Sequence, residues 1–171
     1  YLSSGKYDAV HIIGSALLSS GDPTASSWLF QDGEIRGSEL KAIFANGLPQ
    51  LILSYVWSPS WERKWDGKQQ DRIIYTFAAS TKLAGSECFI GAVTDGFRDP
   101  MMTFTKLLYE EILKNRKPVG EALKEARLRL IKAIGIEDDS WMRAVLYGNP
   151  AKIIAQESAD SGNRKKQEEP S

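Results

Sequence analysis

The chain has 171 residues, enough for one domain and no more than two. At 42% hydrophobic and 26% charged residues it is too apolar for a disordered chain, and it has no run of 18 apolar residues to span a membrane. Its 22 basic and 22 acidic side chains cancel, which weighs against a surface built wholesale for nucleic acid. One cysteine excludes an internal disulfide framework or a cysteine-based zinc site, and one histidine excludes a histidine-cluster metal centre.

The opening residues YLSSGKYDAV lack a charged n-region followed by an apolar h-region. With the single thiol, this leads us to expect a protein of a reducing, cytoplasmic compartment. The first short apolar run is AVHII, residues 9–13. Trp28-Leu29-Phe30, Gln31-Asp32-Gly33 and Glu34-Ile35 then read as a small hairpin turning at Asp-Gly, expected to lie outside the main sheet. A short helix follows over residues 38–45, with Ser38 as its N-cap. QLILSYV (50–56) and CFIGAV (88–93) are nearly uniform in hydrophobicity, as strands buried on both faces of a parallel sheet are.

Between those two runs the pattern predicts a helix over 70–83 with Gly85 as its C-cap. Asp99-Pro100 then reads as an N-cap and N1 pair opening a helix over 101–113. Val119, Ala122, Leu123, Ala126, Leu130 and Ile134 recur at helical spacing, the clearest amphipathic stripe in the chain. RAVLYG (143–148) is a candidate fourth strand. Residues 1–155 therefore read as one α/β sandwich with helices on both faces of a mainly parallel sheet. Residues 156–171 are almost devoid of apolar side chains and read as a disordered tail or linker. Three or four main strands are few for such a sheet, so further N-terminal strands are expected to precede those seen.

In α/β sheets the chemistry gathers where strands end at their carboxyl edge. Here those ends are Gly14-Ser15-Ala16, Trp57-Ser58 and Thr94-Asp95-Gly96. His11 is the one candidate imidazole base, but it lies four residues before Ser15, about 13 Å away along a strand. The plainer reading is a buried histidine hydrogen-bonded to backbone. Cys88 opens a strand, where a thiol is more often an inert apolar filler than a nucleophile. Asp95 and Asp99 bracket a loop as a possible acid–base pair or weak cation site, against the simpler roles of turn residue and helix cap. Trp57, Trp61 and Trp65 recur every four residues, with Arg63, Lys64 and Lys68 interleaved. Such a stretch stacks on nucleobases or forms a protein-binding patch, unless its tryptophans cap the core. No phosphate loop, dinucleotide fingerprint or nucleophile elbow is present.

Four segments, YDAVHIIGSA, WLFQDGEIRGSELKAI, LPQLILSYVWS and the run from FTKLLYEEILKNRKPVGEALKEARLRL through SWMRAVLYGNP, give the chain a family likeness. Together they resemble the CHAT domain, a caspase-like cysteine peptidase domain often joined to helical repeats. The match spans roughly residues 7–150 and implies a caspase-like sandwich whose first strands are missing. In the family motifs the working histidine directly follows the glycine and the cysteine sits in the second strand; Ser15 and Val56 stand at those positions. His11 matches an earlier, non-catalytic histidine, and Gly14 the backbone position of the family's oxyanion site. The resemblance thus implies an inactive pseudo-peptidase with no cofactor and no metal. Its expected partners are a protein or other domains of the same polypeptide, not a membrane or nucleic acid.

Two alternatives stay open: a hydrolase using Cys88 or Ser15 with His11, and a nucleic-acid or nucleotide sensor using residues 57–68. The resemblance also carries a geometric expectation. Ser15 and Val56 should sit side by side on adjacent parallel strands, lining one cleft; opposite faces would sink the CHAT reading.

Overall fold

The computed structural model describes residues 5, 7–19, 22–59, 66–94 and 99–154. A six-stranded sheet in the order β3-β2-β1-β4-β5-β6 forms the middle layer. Its strands are β1 (Ala9–Leu17), β2 (Ser27–Phe30), β3 (Gly33–Arg36), β4 (Leu51–Trp57), β5 (Cys88–Val93) and β6 (Val145–Gly148). Helices α1 (Leu40–Ile43) and α2 (Gly67–Ala84) cover one face, and α3 (Asp99–Tyr109) and α4 (Val119–Ile134) the other. The architecture is the three-layer α/β sandwich expected from the alternation of apolar runs and amphipathic stretches.

Strand direction follows from how many elements separate each pair. One helix, α2, returns the chain from β4 to β5, so those strands run parallel, as β1 and β4 do. Two helices, α3 and α4, separate β5 from β6, so β6 arrives antiparallel. The fourth apolar run therefore belongs to the sheet but not to its parallel part, and its half-exposed residues fit an edge strand.

The hairpin departs from the expectation that it lies outside the sheet. β2 pairs antiparallel with the end of β1, Ser15 opposite Leu29 and Leu17 opposite Ser27, and extends the sheet at that edge. Trp28 decides this. Its ring stacks on Phe77 of α2 with centroids 3.9 Å apart, and its indole Nε1 donates to the buried Ser54 Oγ of β4 at 2.7 Å. A buried indole needs both an apolar bed and an acceptor, and only the sheet face supplies the two together.

Helix α2 begins earlier than its apolar pattern suggests. Asp66 accepts from the Gln69 N–H at 2.8 Å while the Gln69 side chain accepts from the Asp66 N–H at 2.9 Å, a reciprocal capping box. Gly85 ends the helix at φ 109°, a left-handed conformation that favours glycine. Helix α3 runs into a π-helical turn, Glu110–Lys114. There the buried Glu111 carboxylate accepts from Asn115 at 3.0 Å, Lys117 at 3.0 Å and Arg129 of α4 at 2.7 Å. The Asn115 amide first, then Lys117 and Arg129, hold Glu111 down at about 2, so this carboxylate clamps α3 to α4 in its charged form.

The stripe on α4 packs as its spacing predicts as far as Leu130: Leu123 and Leu130 are 5% and 0% exposed, in one cluster with Leu53, Ile90 and Phe104, whereas Ile134, the last residue of the helix, is exposed. Truncating either leucine to alanine should cost about 2–5 kcal/mol of stability by urea unfolding, because it removes buried methyl groups and leaves a cavity. A loss below about 1 kcal/mol at both positions would contradict this packing.

Candidate functional site

The resemblance and the strand-end rule both point to the carboxyl ends of β1 and β4, so the register there decides what can meet. Gly14 lies opposite Val56, and Ser15 opposite Trp57. Both strands run on through these positions, to Leu17 and Trp57. Side chains alternate along a strand, so neighbours one register step apart project to opposite faces. Val56, 1% exposed, points into the α1/α2 face with Ile52 and Phe77. Ser15 points to the α3/α4 face, as Tyr55 does on β4. The expected shared cleft is not formed: the two positions matching a catalytic pair are separated by the sheet itself. The geometric expectation that the resemblance carries is therefore not met.

His11 lies on the α3/α4 face. Its Nδ1 is 2.8 Å from the Tyr109 hydroxyl of α3, and its ring packs edge-on against Tyr55 with centroids 4.6 Å apart. Its Nε2 is buried and has no partner among the described residues. Burial lowers the imidazole to about 4, so the ring is neutral at neutral pH. The plainer reading of His11 as a buried, bonded group is close, though its partner is a tyrosine side chain rather than backbone. The sequence did not single out Tyr55 or Tyr109, because nothing in local spacing joins residues 44 and 98 positions from His11.

Cys88 is fully buried at the start of β5, and its thiol lies 3.2 Å from the Asn149 carbonyl oxygen. Burial pushes the thiol up, away from the thiolate a nucleophile needs. Cys88, Leu51 and Ala9 share one register row across three strands. His11 is therefore two strands across and two residues along from Cys88, roughly 12 Å away. Ser15, four residues from His11 on the same strand, is about 13 Å away. The geometry brings neither pair within reach of proton transfer.

Trp57 is half-buried at the end of β4. Trp61, Arg63, Lys64, Trp65 and Asp95 lie outside the described residues, as does the side chain of Asp99. Lys68, in the first turn of α2, is exposed.

At the end of β5 the structure opens a cleft of about 270 Å³. Asp71, Ile74, Thr94, Asp139 and Arg143 are among its lining residues. Arg143 donates to both Asp139 oxygens, at 3.0 and 3.1 Å, while the buried Thr94 hydroxyl has no partner among the described residues. The sequence marked Thr94 as a strand end, but nothing in local spacing joins it to Asp139 and Arg143, 45 and 49 positions further on.

Among the described residues, no helix is long and apolar enough to cross a membrane. Compared with known proteins, the chain matches no family model and no curated protein.

Two measurements follow from the burial of these groups. The His11 ring should titrate at about 4 by NMR, against 6.5 when unfolded. Between these values the unfolded chain binds a proton that the native chain does not. Stability from this group is therefore complete above 6.5 and falls as pH drops towards 4, by on the order of 3 kcal/mol. A His11→Asn variant should lose that part of the pH dependence. Cys88 should react with a chromogenic disulfide reagent at least about a hundredfold more slowly than free cysteine, its rate rising only with unfolding. Fast labelling of the native chain would contradict its burial.

Proposed function

We propose that the chain is a catalytically inactive, CHAT-like α/β domain that works by binding protein. The observation that carries the non-catalytic half is the β1–β4 register, which sets Ser15 and Val56 on opposite faces. The neutral, Tyr109-bonded His11 and the buried Cys88 thiol support it, since neither has the other, or Ser15, within reach. For the family half, the support is the order of elements. The resembling segments fall in sequence on β1, the β2–β3 hairpin, β4, and the run from α3 to β6. The missing shared cleft weighs against that half.

The partners that fit this reading are proteins, either separate chains or other domains of the same polypeptide, such as the helical repeats of the family. The single buried thiol fits a reducing compartment such as the cytoplasm.

The test is to restore the missing side chains. Val56→Cys nearly conserves volume in the core, and Ser15→His falls at a half-buried strand position. The double variant, checked for native circular dichroism, should hydrolyse a fluorogenic peptide mixture no faster than the parent chain, and neither should exceed background. Turnover by the parent chain, or turnover by the variant that a thiol alkylator abolishes, would overturn the non-catalytic reading.

A further inference from the structure

The cleft at the end of β5 lies between the first turns of α2, the 3₁₀ turn Asp139–Met142 and the start of β6. Part of its lining is apolar: Ile74 and Val93 are each 8% exposed. Thr94, 4% exposed, sets one hydroxyl beside them. The Thr94 N–H donates to the Val56 carbonyl at 2.9 Å, which fixes the residue, yet its side chain has no hydrogen bond among the described residues. A buried hydroxyl left without a partner is costly, and a bound group that bonds it offsets that cost.

The charges on the lining set the sign of that group. Arg143 is held by Asp139 through two hydrogen bonds, so this pair cancels. The Asp138 carboxylate accepts from the Ser140 N–H at 2.8 Å and caps the turn that carries Asp139. Asp71, exposed on α2, makes no hydrogen bond or ion pair among the described residues. It lies near β6: burial first, then Asp71 and Tyr75, push the Tyr147 hydroxyl up. The lining residues thus leave one negative charge uncompensated. At about 270 Å³ the cleft falls short of the roughly 300–1,000 Å³ of sites that enclose a drug-sized ligand, and it suits one side chain rather than a cofactor.

We infer that this cleft takes a lysine side chain of a partner protein. The methylenes of the lysine lie along Ile74 and Val93, and its ammonium donates to the Thr94 hydroxyl oxygen and to Asp71. A compact ammonium with three donors suits acceptors on separate elements, whereas the planar fork of arginine suits a single carboxylate met in its plane. The mouth fits a protein rather than a free amine. Met142 and Tyr75, the latter one helical turn from Asp71, are 52% and 61% exposed, and methionine and tyrosine are enriched where proteins meet. This inference rests on the reading of the domain as a binding module, and it names the side chain that the module recognises.

The test titrates the ¹⁵N-labelled full chain with acetyl-Ala-Leu-Lys-Leu-Ala-amide at physiological ionic strength. The Ile74, Thr94 and Val145 amide peaks should shift together and saturate. The same peptide with norleucine for lysine keeps the methylenes but loses the ammonium, and should bind at least tenfold more weakly. Asp71→Asn should weaken binding at least fivefold. Thr94→Val removes the hydroxyl and keeps the shape. It should weaken binding at least threefold without lowering the urea midpoint, a combination that a purely structural hydroxyl would not give. The inference is overturned if the three peaks do not shift, if the norleucine peptide binds as well, or if Thr94→Val lowers the midpoint and leaves binding intact. Binding of n-butylammonium as tight as that of the peptide would overturn it too, because a free amine would then fill the cleft. Mass spectrometry of the peptide afterwards separates the two readings: cleavage sinks the non-catalytic function, whereas intact peptide without shifts sinks only the lysine site.

Discussion

The parallel ladder between β1 and β4 is the constraint on which the rest of the structure depends. Its register, Ala9 opposite Leu51 through Ser15 opposite Trp57, sets the face of every side chain on both strands at once. It buries Val56 against α2 and leaves Ser15 on the α3/α4 face. One set of hydrogen bonds thus keeps the side chains of Ser15 and Val56 from meeting.

The two cores on either side of this sheet are held differently. On the α1/α2 face, Trp28 joins the hairpin to the sheet through the Phe77 stack and the Ser54 hydrogen bond. Removing either partner would leave a buried indole short of its acceptor or its bed. On the α3/α4 face, Glu111 ties the π-helical turn to Arg129, and His11 ties β1 to Tyr109. These contacts use ionisable side chains whose charge states are fixed in opposite ways. Glu111 is kept charged by the cations and amide around it, and His11 is kept neutral by burial. The one histidine of the chain is thereby committed to packing, which is poor preparation for a general base.

Much of this architecture was legible in the sequence, because periodicity records which side of an element is buried. The α4 stripe from Val119 to Leu130, the Gly85 cap and the apolar runs of β4 and β5 all lie where their patterns place them. Boundaries were less legible where a hydrogen bond rather than a hydrophobic pattern decides them. The Asp66–Gln69 capping box starts α2 three residues before its apolar pattern does, and β1 continues to Leu17 because β2 pairs with its end. At the candidate site, Ser15 and Val56 stood where the resemblance puts a histidine and a cysteine, while Cys88 or Ser15 with His11 stayed open as an alternative.

By itself, then, the sequence determined the α/β class, the succession of strands and helices, and the absence of a cysteine and histidine at the positions the resemblance singles out. These follow from residue type and local period, which need no knowledge of distant contacts. The tertiary structure decided the direction of β6, the place of the hairpin within the sheet and the partner of His11. It also decided the relation of Ser15 to Val56. Each of these depends on register or on contact between residues far apart in the chain. A shift of one residue in that register would exchange every face without changing a single local pattern.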